Sequence, residues 1–166
     1  MIENPYYATC NNISSLYVAR KYLENAIILD GDQIICNERI LISEFCRSGY
    51  NSVWTFEETD EWLQTVKDGI VTACSRVGGG CGWQLYSISR WTAEDGRKLK
   101  KHLELEFEQK HNTQIYWDDI VMFCHSQEYQ LGIFEMQPDD VIEIDSLEEL
   151  ISIDNNYVKY REKGLA

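Results

Sequence analysis

Four aspartates stand where carboxylates could serve a hard cation. Asp30 and Asp32 flank Gly31 at the end of the apolar run Ala26-Ile27-Ile28-Leu29. In extended backbone, residues two apart project to the same side, so both carboxylates would face one ligand, and Gly31 leaves room for its approach. Ligands gather at the carboxyl ends of strands in α/β sheets, and Mg²⁺ takes carboxylate oxygens together with ligand phosphates. On spacing alone, an ordinary polar exit from strand to turn explains Asp-x-Asp better. Asp145 closes the run Val141-Ile142-Glu143-Ile144, but beside Ser146 it also suits a helix start. Asp118, between Tyr116-Trp117 and the apolar residues 120–124, is less easily explained, because a charge there needs a partner.

A second chemistry is suggested by five tryptophans and ten tyrosines. Trp54, Trp62, Tyr116 and Trp117 lie near Glu57, Glu61 and Asp118 in sequence. Aromatic faces with a nearby carboxylate can hold a quaternary ammonium, which cannot donate a hydrogen bond. Each ring taken singly is better explained by core packing.

Other candidates fade. The glycines of residues 78–82 are not followed by Lys-Ser or Lys-Thr and do not join a strand to a helix, so they fail as a phosphate loop. His102, His111 and His125 show no metal-pair spacing, and His102 and His111 on a charged helix are expected to be exposed. No G-x-S-x-G nucleophile motif occurs. Cys10, Cys36, Cys46, Cys74, Cys81 and Cys124 form no C-x-x-C pair and read as small buried hydrophobes.

The elements that must position these residues can be placed from periodicity. Asn12 caps a predicted helix over residues 13–24, with Ile13, Leu16, Tyr17 and Leu23 at helical spacing. The run at 26–29 predicts a strand buried on both faces. Residues 50–56 alternate as a strand, and Asp68-Gly69 predicts a hairpin turn between 63–66 and 70–73. Residues 83–89 alternate again before Thr92 and Asp95 open a charged helix to about residue 111. A strand around Ile133-Phe134, another through residues 141–145, and a helix capped by Ser146 with Glu149 complete an α/β pattern.

Bulk properties narrow the setting. The 166 residues predict a single domain over 1–166. Net charge is −13, from 28 acidic and 15 basic residues spread along the chain, which argues against nucleic acid as a partner. No apolar run approaches the roughly 20 residues that span a bilayer, and the start carries no signal pattern, so a cytoplasmic location with no membrane partner is expected.

Taken in order, Asn4-Pro5-Tyr6-Tyr7, Asn11-Asn12-Ile13-Ser14-Ser15-Leu16-Tyr17, Ile28-Leu29-Asp30-Gly31-Asp32, Tyr116-Trp117-Asp118-Asp119 and Glu143-Ile144-Asp145 resemble the bacterial sugar-phosphate and choline-phosphate nucleotidyltransferases, most of all the CTP:phosphocholine cytidylyltransferase branch. The resemblance implies a Rossmann-like mixed sheet of the nucleotidyltransferase type. It implies CMP transfer from CTP to phosphocholine with Mg²⁺ as cofactor, where positioning and charge neutralisation do most of the catalysis. Asp32 would be the foremost metal ligand, supported by Asp30 and joined by Asp145. Asp118 would stand near the acceptor, and Trp54, Trp62, Tyr116 and Trp117 would be candidates for a choline cage.

The same resemblance implies that the family's first strand-loop-helix unit, with its glycine-rich nucleotide loop, would lie upstream of Met1. Without it the isolated chain is expected to be impaired or inactive. The strand at 26–29 would then be an apolar edge, covered by a homo-oligomer, by swapped elements, or by a neighbour rebuilt from the N-terminal segment. A sugar-phosphate acceptor, a phosphocholine- or amine-binding module without turnover, and a complementing subunit are the alternatives.

Overall fold

The longest alternating segment of the chain becomes its central strand. In the computed structural model, which describes residues 1–161, β6 (Gly82–Trp91) pairs antiparallel with β3 (Gly49–Thr55) along one side. Its other side is shared by β4 (Leu63–Lys67) and β1 (Ala26–Ile28), both antiparallel to it. β5 (Ile70–Ser75) continues the sheet from β4 through a two-residue turn, Asp68 at φ 52° and Gly69 at φ 77°, the left-handed pair that hairpin geometry requires. β7 (Gly132–Glu135) runs parallel to β3 at the far edge, which makes the sheet mixed. A separate ribbon joins β2 (Gln33–Ile35) to β8 (Val141–Glu143).

Side chains of a strand alternate between faces, and here each face has its own core. Tyr50 and Trp91 point toward α1 (Ile13–Ala19) and α2 (Ala93–Glu104), packing with Leu16, Leu99, Leu103 and Trp117. Val53 and Ile88 point the other way, toward Ile40, Met136 and Val141. Each fully buried large side chain contributes about 1.5–3 kcal/mol relative to exposure. Two short helices, α3 (Leu147–Ile153) and α4 (Val158–Arg161), end the described chain, α3 opening with the expected capping box of Ser146 and Glu149.

Several expectations are corrected. The first helix stops at Ala19 and tightens into a 3₁₀ turn over Arg20–Tyr22, short of residue 24. Asn12 precedes α1 without bonding its amides, because its side-chain oxygen accepts from the Trp117 backbone N–H at 2.9 Å instead. α2 extends as a π-helical turn over Leu105–Gln109. β1 is only half-buried, and Leu29 after it is 40% exposed. It pairs only with β6 among the described residues, so the edge anticipated from the sequence is present. Residues 1–12 form turns rather than a strand, so they do not rebuild a neighbour for it. Cys36, Cys46, Cys81 and Cys124 are exposed, not buried. His102 is buried instead of solvated, as discussed below. Among the described residues no helix is long and apolar enough to cross a membrane.

Candidate functional site

The end of β1, the face of β6 and the segment around Tyr116 enclose a cavity of about 250 Å³. It is lined by Asn12, Asp30, Trp62, Tyr116, Asp118 and the β6 pair Leu85 and Ser87, together with Glu61 and Glu143. Leu85 and Ser87 share a face because they are two apart on β6. Asn12 links the parts: its bond to Trp117 N–H ties the start of α1 to the Tyr-Trp-Asp segment. Asp119 continues the brace, accepting from Tyr116 N–H at 2.9 Å and pairing with Arg76 at 2.5 Å.

Asp118 is 5% exposed, and its Oδ1 has no hydrogen-bond donor. The Tyr50 phenol faces it without reaching full hydrogen-bond geometry. Burial pushes the Asp118 carboxyl up to about 7; the Tyr50 hydroxyl opposes this, while the charges of Asp30 and Asp119 add to it. Asp30 is raised in the same way, first by burial and further by Asp32, with the Ser87 hydroxyl partly offsetting. Glu143 is raised by burial despite the 2.9 Å hydrogen bond it accepts from Gln33, and Glu61, Asp145 and Asp32 reinforce the shift. The acids therefore share one field, and carboxylates that crowd one another in this way attract cations.

The structure brings Asp30, Asp32, Asp118 and Asp145 to this one end of the sheet. Asp30 and Asp118 face the cavity. Asp32 and Asp145 are exposed on the β2–β8 ribbon, held together where Ile144 N–H donates to the Asp32 carbonyl. Three carboxylate oxygens do not converge within 4.8 Å here among the described residues. Mg²⁺ does not require that, since it is usually held by one or two carboxylates, water and substrate phosphates.

Of the four aromatic candidates, Trp62 and Tyr116 meet edge to face at 5.9 Å on the cavity wall. Trp117 is 2% exposed and stacks on Tyr50 in the core at 6.0 Å. Trp54 does not line the cavity; it packs against Trp83 at 5.2 Å and Phe56 at 6.0 Å toward the other end of β3. Ser87 and Arg76 were not singled out from the sequence. Alternation along residues 83–89 places Ser87 on the same face as Leu85, but nothing in the sequence pairs Arg76 with Asp119.

No family profile matches the chain. The chain is 29% identical over 160 residues to the 2-aminoethylphosphonate cytidylyltransferase of Lancefieldella rimae, covering 95% of this chain and 65% of that protein. It is 26% identical over 149 residues to the choline-phosphate cytidylyltransferase of Streptococcus pneumoniae, covering 90% of this chain and 64% of the relative. Among solved structures, the CTP:phosphocholine cytidylyltransferase of Streptococcus pneumoniae superposes with a TM-score of 0.80 at 25% identity, over 92% of this chain and 66% of that one. The inositol-1-phosphate CTP transferase of T. maritima, at 14% identity and a TM-score of 0.62, shares the fold, over 99% of this chain and 67% of its own. The chain thus spans about two thirds of the length of the relatives it matches. Its sheet is of the nucleotidyltransferase type, and by sequence the chain is a relative of the cytidylyltransferases.

Proposed function

We propose that the chain serves cytidylyl transfer to phosphocholine, providing the acceptor pocket and the acids that accompany the metal. The observation carrying this reading is the cavity in which Trp62 and Tyr116 stand among Asp30, Glu61, Asp118 and Glu143. A quaternary ammonium is attracted to ring faces and to nearby carboxylates, and it needs no hydrogen-bond acceptor. A sugar phosphate carries no cationic group for the four carboxylates and the two rings to attract.

In the reaction, a phosphate oxygen of phosphocholine attacks the α-phosphorus of CTP, and the bond to the departing pyrophosphate breaks. Trp62 and Tyr116 orient the acceptor through its cationic end, while Glu61, Asp118 and Glu143 balance its charge. Asp30, Asp32 and Asp145 would hold Mg²⁺, with Asp32 foremost; when bound, the ion neutralises charge on the phosphates. Positioning of this kind supplies much of the rate enhancement in such transfers. The free edge of β1 supports pairing with a second copy.

A second reading, a module that binds phosphocholine or a related amine without turnover, is favoured by one feature. Among the described residues, the glycine-rich segment 78–82 leads from β5 into the start of β6, two strands separated in the sheet by β4, and does not join a strand to a helix. A complementing subunit is its variant, active only with a second polypeptide. The deciding assay incubates the chain with CTP, Mg²⁺ and phosphocholine or 2-aminoethylphosphonate and detects the CDP or CMP conjugate by mass. Product lost in Asp32→Asn supports transfer; binding of phosphocholine with no product supports the module; absence of both refutes the pocket assignment.

A further inference from the structure

Away from the acidic cavity, α2 and the segment after residue 120 bring two histidines face to face. His102 is in the last turn of α2, and His125 follows the π-helical turn Ile120–Cys124. Their rings stack with centroids 3.9 Å apart and planes 4° apart, and each side chain is only 11% exposed. One nitrogen of each ring is engaged by a buried oxygen. His125 Nε2 is 2.8 Å from Glu106 Oε1, and His102 Nδ1 is 2.7 Å from the Tyr129 hydroxyl.

Glu106 is fully buried, which by itself disfavours its charge, but hydrogen bonds from Lys110, Asn112 and His125 outweigh burial and hold its carboxyl below the usual range. A charged Glu106 accepts a proton bond from His125 Nε2, so the other nitrogen, Nδ1, presents a lone pair. That Nδ1 lies 3.5 Å from one oxygen of Glu128, and His102 Nε2 lies 3.3 Å from the other. Lone pair and carboxylate therefore face each other with nothing positive between them. Protons on both rings would place two cations one above the other at stacking distance.

We propose that His102 Nε2, His125 Nδ1 and the Glu128 carboxylate form a binding site for a divalent transition metal of the zinc class. Ligand atoms of the three lie within 4.8 Å of one another, the one such trio among the described residues. Two imidazoles and a carboxylate are a donor set that Zn²⁺ accepts, with bonds of about 2.0–2.2 Å and a fourth position for water. Each imidazole lone pair lies in its ring plane, so the parallel rings tilt toward one another on binding, and Glu128, whose side chain is 56% exposed, moves in to complete the set. Glu106 and Tyr129 occupy the outer positions, where a hydrogen-bonded oxygen fixes the ring and raises its basicity. A metal here fastens the end of α2 to the segment that follows Asp118 and Asp119.

The test is calorimetric titration of chelator-treated chain with Zn²⁺, with Co²⁺ absorption reporting ligand type. The expected result is one equivalent bound, with no thiolate charge-transfer band, weakened about tenfold or more in His125→Ala and in Glu128→Gln. Binding is unchanged in His111→Ala and Cys124→Ser. Glu128→Gln changes an exposed side chain and carries the test if His125→Ala fails to fold. No binding, a thiolate band, or unaltered affinity in Glu128→Gln overturns the proposal.

Discussion

Replacing Asp118 with asparagine should stabilise the chain at high pH and do so progressively less as pH falls. The carboxyl is pushed up to about 7 in the fold, against 3.8 ordinarily. A folded value above the unfolded one means that the folded state binds the proton more tightly. The resulting stability is fully present below the unfolded value, is eroded as pH rises, and is lost once pH passes the folded value. Each tenfold difference in proton affinity corresponds to about 1.4 kcal/mol, so the whole difference amounts to about 4 kcal/mol, of which roughly 2–3 kcal/mol falls between about pH 5 and about pH 8.5. Asparagine keeps the shape and cannot ionise. Urea unfolding of both proteins at those two pH values isolates the effect, because the other acids cancel in the difference. A stability difference between variant and wild type that does not change with pH would refute the reasoning, since it would mean that Asp118 is ionised throughout or never.

Gly96→Ala should destabilise despite the better helix propensity of alanine, worth about 1 kcal/mol. The added Cβ would stand 2.1 Å from the Leu23 carbonyl oxygen, so the thermal midpoint should fall. Arg90→Met should cost about 2–4 kcal/mol in denaturant unfolding. That guanidinium is 3% exposed, donates to Asn51 Oδ1 at 2.6 Å and to the Ile42 and Ile40 carbonyls, and lies over the Phe134 ring. Trp62→Ala should weaken phosphocholine binding by about 0.5–2 kcal/mol in calorimetry, the range of one cation–π contact. Trp54→Ala should leave it unchanged.

Much of the sheet was legible because its strands alternate or sit beside a strong turn signal. The Asp68-Gly69 hairpin, the β6 alternation and the Ser146 capping box depend on neighbours in sequence, and each forms as read. The half-burial of β1 was not legible, because an apolar run looks the same in a central strand and at an edge; pairing decides it. Asn12 was read as a cap for the same reason: its competing partner, Trp117, is 105 residues away. The aspartates were found as motifs, but Glu61 and Ser87 join them only through the pairing of β6 with β1 and β4, and Glu143 only through the pairing of β8 with β2. His102 shows the limit most plainly. A charged helix suggests exposure, yet its stacking on His125 and its hydrogen bond to Tyr129 come from a segment more than twenty residues away.

The central claim is that the acid and aromatic cavity receives the cationic end of the acceptor. It is tested most directly by titrating isotopically labelled chain with phosphocholine and following the tryptophan indole and backbone resonances by NMR. The account predicts saturable shifts at Trp62, Tyr116 and the residues around Asp30, with the shifts of Tyr116 and the Asp30 region saturating only at higher phosphocholine in Trp62→Ala and the Trp54 indole unmoved. Shifts centred on Trp54 and Trp83, or none at all at saturating ligand, would contradict it.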